Sequence, residues 1–170
     1  MSGLIHLYYG DGKGKTTAAV GLAVRAAGSG MKVTFAQFMK NGRSSEVEVL
    51  SGIPGITTLI ADGICKFSFK MTDEEKRAAR VCQKELLKRA LDTTCDMLVL
   101  DESINAYRTG LIDHDELEKV VLEKPEDLEL VLTGRAPAWF FIERADYVTE
   151  MVCHKHPYND GVRARRGVEF

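Results

Sequence analysis

The sequence predicts an α/β domain built on a doubly wound, mostly parallel sheet. Three observations carry that prediction. Short, uniformly apolar runs recur along the chain, as expected of strands buried on both faces. Segments of helical period separate them. Three of the runs end in chemically marked residues, namely a glycine-rich stretch after Tyr9, Asp101-Glu102, and Thr133-Gly134-Arg135, and ligands in such sheets sit at the carboxyl ends of strands. With 170 residues, 45% of them hydrophobic and 28% charged, the chain has the composition of one ordinary globular unit, so residues 1–170 are expected to form a single domain. Disorder, collagen-like repeats and a disulfide scaffold are excluded.

The elements follow in order. Leu4, Ile5, His6, Leu7, Tyr8 and Tyr9 make a buried strand stopped by Gly10. After the glycine-rich loop, Ala18, Ala19, Leu22, Ala23 and Ala26 recur at helical spacing until Gly28-Ser29-Gly30 ends the helix. Val33, Phe35 and Phe38 mark a second strand, followed by a loop at Asn41-Gly42. The pattern then weakens at Gly52, Pro54, Gly55 and Gly63, where only a short strand over residues 56–60 can be read. Thr72 with Glu75 forms a capping box that opens a long helix to about Leu91. Met97, Leu98, Val99 and Leu100 make a buried strand ending in Asp101-Glu102. Asp113 and Glu116 repeat the capping-box logic before a short helix closed by Pro125, and residues 128–132 give the next strand. Residues 142–145 read as helical, residues 147–152 as extended, and the basic segment over residues 154–166, with Pro157 and Gly161, as irregular.

The 23 Lys and Arg against 25 Asp and Glu leave a net charge of −2, so the whole-chain field favours neither nucleic acid nor an anionic membrane. Any anion site must be local. No run approaches a membrane span, and the first residues lack the basic-then-apolar layout of a secretory leader, so a cytoplasmic protein is expected. Cys65, Cys82, Cys95 and Cys153 stand far apart without a CxxC pair, which suits reduced thiols. Cys153, His154 and His156 are close together with no distant fourth ligand, the pattern of a surface loop rather than a zinc site. Trp139, a lone tryptophan, is expected to be half-buried packing.

Gly10-Asp11-Gly12-Lys13-Gly14-Lys15-Thr16-Thr17, between a strand and a helix, reads as the phosphate loop of a P-loop NTPase (RecA-like) fold. Its glycines let backbone N–H groups converge on an anion, the helix N-terminus adds a positive dipole end, Lys15 adds a full charge, and Thr16 offers a hydroxyl to Mg²⁺. Only Asp11, Gly12 and Lys13 separate Gly10 from Gly14, one residue fewer than the usual motif, which predicts a different seating of the phosphates. The second lysine, Lys13, either meets a highly charged polyphosphate or faces solvent. Asp101 and Glu102 supply the hard oxygen ligands that Mg²⁺ requires beside such a loop. Arg135 either reaches the same phosphates as a planar multi-donor cation or is an ordinary surface arginine. These residues specify a nucleoside triphosphate with Mg²⁺ and leave the reaction open.

The short loop, the helix through Gly21 and Arg25 to Gly28, the Gln37-Phe38-x-Lys40 strand end, Leu98-Val99-Leu100-Asp101-Glu102, Thr133-Gly134-Arg135 and the ending from His156-Pro157-Tyr158-Asn159-Asp160-Gly161-Val162 to Gly167-Val168-Glu169-Phe170 carry a further reading. Together, from about Ile5 to Phe170, they resemble the P-loop type of ATP:cob(I)alamin adenosyltransferase. The resemblance implies attack by the reduced cobalt of a corrinoid on the 5′ carbon of ATP, with triphosphate expelled. It implies catalytic roles for Lys15, Thr16 and Glu102, and Mg²⁺ held by Thr16 and Glu102 with Asp101. It implies ATP contacts from Asp11, Gly12, Lys13, Gly14, Lys15, Thr16, Thr17, Arg25 and Arg135, with Asp11 and Arg25 near the nucleoside and the triphosphate seated in reverse. Phe67 and Phe69 match an aromatic pair that presses on the lower corrinoid face in this family, although a tryptophan is expected at the second place. Without the resemblance, two such residues read as core. A homodimer and a reductant such as a flavin or flavoprotein are also implied. Some family members carry an N-terminal helix over the corrinoid. Here the first strand starts at Leu4, so that lid is expected to be missing or supplied by another element. The basic segment over residues 155–166 touches corrinoid side chains or a partner, or is solvated.

Two rival readings stay open at this stage. A P-loop kinase or hydrolytic NTPase would release ADP, with Glu102 orienting the attacking group. A nucleotide-gated binding module would hold a corrinoid, or recruit a partner, without turnover.

Overall fold

The computed structural model describes residues 2–40, 44–61 and 71–169. Six strands, β1 (Ile5–Tyr9), β2 (Val33–Gln37), β3 (Ile56–Ile60), β4 (Met97–Asp101), β5 (Glu129–Gly134) and β6 (Tyr147–Glu150), pair in one sheet ordered β3-β2-β4-β5-β1-β6. Every pairing is parallel. The helices are α1 (Lys15–Gly28), α2 (Ser45–Ser51), α3 (Asp73–Leu91), α4 (Ser103–Arg108), α5 (His114–Leu122) and α6 (Trp139–Arg144). No helix among the described residues is long and apolar enough to cross a membrane.

The apolar runs are explained by alternation. Val33, Phe35, Met97, Val99 and Val131 pack on one face with Ala19, Ala23 and Ala26 of α1 and Leu50 of α2. Their sequence neighbours Ala36, Leu98, Leu100, Leu130 and Leu132 pack on the other face with Leu86 and Leu87 of α3, Ile104 of α4, Leu117 of α5 and Phe141 of α6. Successive strand side chains point to opposite faces, so a strand covered on both sides must be apolar throughout. Register then brings distant residues to one edge. Gln37 stands opposite Asp101, Tyr8 opposite Thr133, and Tyr9 opposite both Gly134 and Glu150. All three marked loops therefore leave the same side of the sheet.

Several boundaries differ from the sequence reading. Helix α2 lies in the stretch where only a strand was legible, and α4 follows directly on Asp101-Glu102 without a foreseen start signal. The capping box at Thr72 forms as expected, with both reciprocal hydrogen bonds. At α5, Asp113 accepts from the N–H groups of Asp115 and Glu116, while the Glu116 carboxylate turns to the Lys84 ammonium of α3 instead of closing a second box. That helix ends at Leu122, ahead of Pro125, and β5 runs on through Gly134. Helix α6 starts at Trp139, earlier than the apolar signal from Ile142. Trp139 is 67% exposed, because it opens the helix on the solvent side while Phe141 takes the core position. The basic segment is irregular apart from a 3₁₀ turn over Pro157–Asp160.

Candidate functional site

The phosphate loop is shaped by the chain that follows β6. Gly10 and Gly14 have φ of 108° and 119°, in the region where a Cβ is strained. A Cβ on Gly10 would lie 2.5 Å from the Met151 carbonyl oxygen, and one on Gly12 would lie 2.6 Å from it, so only glycine fits where the two backbones meet. The Met151 N–H donates to the Tyr9 carbonyl at 2.7 Å, and the Gly12 N–H donates to the Met151 carbonyl at 2.7 Å. Gly14 then N-caps α1 with no side-chain cap, and no acidic residue occupies the first turn. The leading N–H groups of α1 and its positive dipole end are thus left for an anion.

Lys15 is buried, and its ammonium donates to the Gly10 and Gly12 carbonyls at 2.7 and 2.8 Å. Burial pulls its pKa below the usual lysine value and nearby Arg135 adds to the fall, against Glu102, Asp11 and Asp101. A polyphosphate anion would strengthen the charged form and draw the ammonium off its own loop.

Asp101 is the hub of the site. It is fully buried at the end of β4, and Oδ1 accepts from the Thr16 hydroxyl at 2.9 Å and the Thr133 hydroxyl at 2.7 Å. Its Oδ2 accepts from Gln37 Nε2 at 3.0 Å, with Lys40 Nζ at 3.9 Å. By donating its proton to Asp101, Thr16 keeps its oxygen lone pairs free to face a cation. Glu102 is held in the left-handed region at φ 63° and ψ 11°, a conformation that costs a non-glycine residue energy and turns it away from the strand path. Its N–H donates to Thr133 Oγ1 at 2.9 Å, and its carboxylate accepts from the Asn105 side chain. Burial, then the Asp101 charge, pushes the Glu102 carboxyl above the usual range, opposed by Asn105, Lys40 and Lys15. The Thr16 hydroxyl and two carboxylates are hard oxygen donors of the kind Mg²⁺ takes, together with waters and phosphate oxygens.

Gly134 is demanded by the packing of α4. A Cβ there would lie 2.7 Å from Ile104 Cβ and 2.8 Å from the Asn105 nitrogen. Asn105 Oδ1 accepts from the Arg135 N–H at 2.8 Å, so one amide links the Asp101-Glu102 loop to the Thr133-Gly134-Arg135 loop.

The structure brings Lys15, Thr16, Asp101, Glu102 and Arg135 into one electrostatic neighbourhood. Asp11 and Thr17 are exposed at its rim. Lys13 is exposed and pairs with Glu169 at 3.3 Å, and Arg165 and Lys13 help hold that carboxyl down to about 2. A cavity of about 350 Å³ lies between Gly12, Lys13 and the C-terminal segment. Cys153 lines it, His154 is exposed in the same segment, and His156 Nδ1 accepts from the Tyr158 N–H. Arg25 is not brought to the loop. It lies in the last turn of α1, about 15 Å along the axis from Lys15, close enough to Tyr8 to act on its hydroxyl. Phe67 and Phe69 fall outside the described residues.

Sequence reasoning missed Asn105, Glu46 and Met151, and had no structural role for Gln37. Asn105 sits three residues after Glu102, a helical spacing that becomes a signal only once α4 is known. Glu46 accepts from Gln37 Nε2 at 3.2 Å and Lys40 Nζ at 3.4 Å. Burial raises the Glu46 carboxyl, but its own backbone N–H, Lys40 and Gln37 bring it below the usual range.

Residues 1–170 match the family described as ATP:corrinoid adenosyltransferase BtuR/CobO/CobP. The chain is 32% identical over 173 residues to a corrinoid adenosyltransferase of Pseudomonas aeruginosa, covering 99% of this chain and 84% of that protein. It is 35% identical over 178 residues to one of a Sinorhizobium species, covering 99% and 80%. Against the corrinoid adenosyltransferase CobA of Salmonella typhimurium it is 32% identical over 171 residues, covering 99% and 86%. The match takes in the shortened loop, the Asp101 hub and the C-terminal segment alike, and the chain belongs to the ATP:corrinoid adenosyltransferase family.

Proposed function

We propose that this protein, working in the cytoplasm with residues 1–170 as one catalytic domain, transfers the 5′-deoxyadenosyl group of ATP to the cobalt of a reduced corrinoid. The cobalt(I) electron pair forms the cobalt–carbon bond while the 5′ carbon–oxygen bond breaks, and those electrons leave on triphosphate. The nucleophile belongs to the substrate, so the side chains serve the leaving group. The observation that carries this reading is the join between phosphate loop and acidic strand end, Thr16 Oγ1 to Asp101 Oδ1, within reach of the buried Lys15.

In this reading the loop N–H groups, Lys13, Lys15 and Arg135 stabilise the triphosphate as its charge develops. Gly12, Gly14 and Thr17 line its path, and Asp11 lies toward the nucleoside. Arg25, in the last turn of α1 and close to Tyr8, is assigned to the nucleoside side. Thr16, Glu102 and Asp101 would hold Mg²⁺, which supplies charge neutralisation at phosphate oxygens. Phe67 and Phe69 are assigned to the corrinoid, a flavin or flavoprotein to its reduction, and the working form to a homodimer.

The test mixes protein, ATP, Mg²⁺ and chemically reduced cobalamin, follows the visible spectrum, and identifies the phosphate product. Conversion to the alkylated corrinoid with stoichiometric triphosphate is expected. ADP without conversion would favour a kinase or hydrolase.

A further inference from the structure

Gln37 closes β2 and is fully buried beside Asp101. Its Nε2 donates to Asp101 Oδ2 at 3.0 Å and Glu46 Oε1 at 3.2 Å. Two carboxylates on one nitrogen fix the amide, because the flipped orientation would aim its oxygen at both anions. Oε1 is thereby turned away from them, and among the described residues no donor reaches this buried atom. A buried carbonyl oxygen without a donor is costly, and each such atom in a native structure calls for a missing partner.

The chemistry around it narrows that partner. Lys40 is already drawn to Glu46 and Asp101. Triphosphate oxygens are acceptors and cannot serve another acceptor. Gln37 is one carboxylate away from the Thr16 hydroxyl, since both donate to Asp101. Mg²⁺ dehydrates reluctantly and keeps several waters, whose protons are strong donors.

We propose that Gln37 Oε1 accepts a hydrogen bond from a water in the coordination shell of the nucleotide-bound divalent cation, with Glu46 holding the amide in place. Gln37 is then a positioning residue, acting on the cation through its water. The proposal rests on the Mg²⁺ reading above.

The experiment uses Mn²⁺ as the probe and ATP as the nucleotide, with corrinoid omitted so that nothing turns over. Calorimetry measures ATP binding to the wild type and to Gln37→Met, which keeps the side-chain length without polar atoms, once in excess Mn²⁺ and once in EDTA. The variant is expected to bind Mn²⁺·ATP about tenfold more weakly, with metal-free ATP binding within about twofold of wild type. Equal losses in both conditions would mean a merely structural role, and equal affinities would mean an ordinary buried water; either overturns the proposal. A wild type that binds ATP no better with Mn²⁺ than in EDTA would instead overturn the Mg²⁺ reading. Independently of whether the variant folds, a crystal structure of the wild type with Mn²⁺ and ATP should show a metal-bound water within hydrogen-bonding distance of Gln37 Oε1. A donor from the nucleoside at that position would refute the assignment.

Discussion

The Thr16 hydroxyl donates to Asp101 Oδ1 at 2.9 Å across 85 residues of sequence, tying the first turn of α1 to the end of β4. Asp101 therefore aims a ligand as much as it serves as one. Thr16→Ser keeps the donor and should retain most activity, whereas Thr16→Ala should lower kcat by about 10²–10³-fold, the scale of one lost preorganised group. Steady-state transfer assays on the pair check this. Similar activity in both variants would remove the hydroxyl from the mechanism.

Lys15→Ala should abolish transfer by a similar or larger factor while the protein stays folded. Among the described residues its ammonium bonds to the Gly10 and Gly12 carbonyls of its own loop, so the loss falls on substrate and leaving group. Circular dichroism together with triphosphate release separates the two effects.

Glu102 gives a prediction in pH. Burial and Asp101 raise its pKa in the folded state, so folding favours the protonated form. Stability from this group is fully present below the unfolded value of 4.5 and is lost as pH rises through the folded pKa. Glu102→Gln should therefore melt higher than wild type at pH 7, with the gap closing as pH falls below the ordinary carboxylate range, while activity is lost. Thermal melts from pH 4 to 8 read the sign. A variant that melts lower at pH 7 would contradict it.

Gly134→Ala should destabilise by about 1–3 kcal/mol, because the new Cβ strikes Ile104 and Asn105 at a strained φ. Urea unfolding measures the loss. A parallel drop in ATP affinity is expected, since Asn105 positions both Glu102 and the Arg135 backbone.

Phe69→Ala should slow the reaction mainly when the corrinoid is supplied as cob(II)alamin. If the ring removes an axial ligand to ease reduction, prereduced cob(I)alamin bypasses that need. Comparing the two starting states tests it, and equal losses would sink the role.

What could be read from the sequence was local. Lys15-Thr16 after a glycine-rich turn, Asp101-Glu102 after four apolar residues, and Thr133-Gly134-Arg135 each announce a strand end by neighbours in sequence. What could not be read depends on register or on a meeting of distant backbones. Gln37 reaches Asp101 because β2 and β4 are paired in one particular alignment. Gly10 and Gly12 are fixed by Met151, far along the chain. Arg25 came from the resemblance alone, and the 14 residues of α1 set it at the far end of that helix from Lys15. Glu46 sits in a short helix beyond Asn41-Gly42, where turn residues obscured the period.

The strand order has a consequence for folding. The glycine-rich loop follows β1 directly, yet the strands flanking β1 are β5 and β6, drawn from the last third of the 170 residues. Its neighbours, and the Met151 backbone that pins it, reach it only when a long stretch of chain has closed. Parallel pairings of such long separation form slowly. Until those pairings close, β1 is an apolar strand with both edges open. The loop is therefore completed by the pairing of β1 with β5 and β6 and cannot template it.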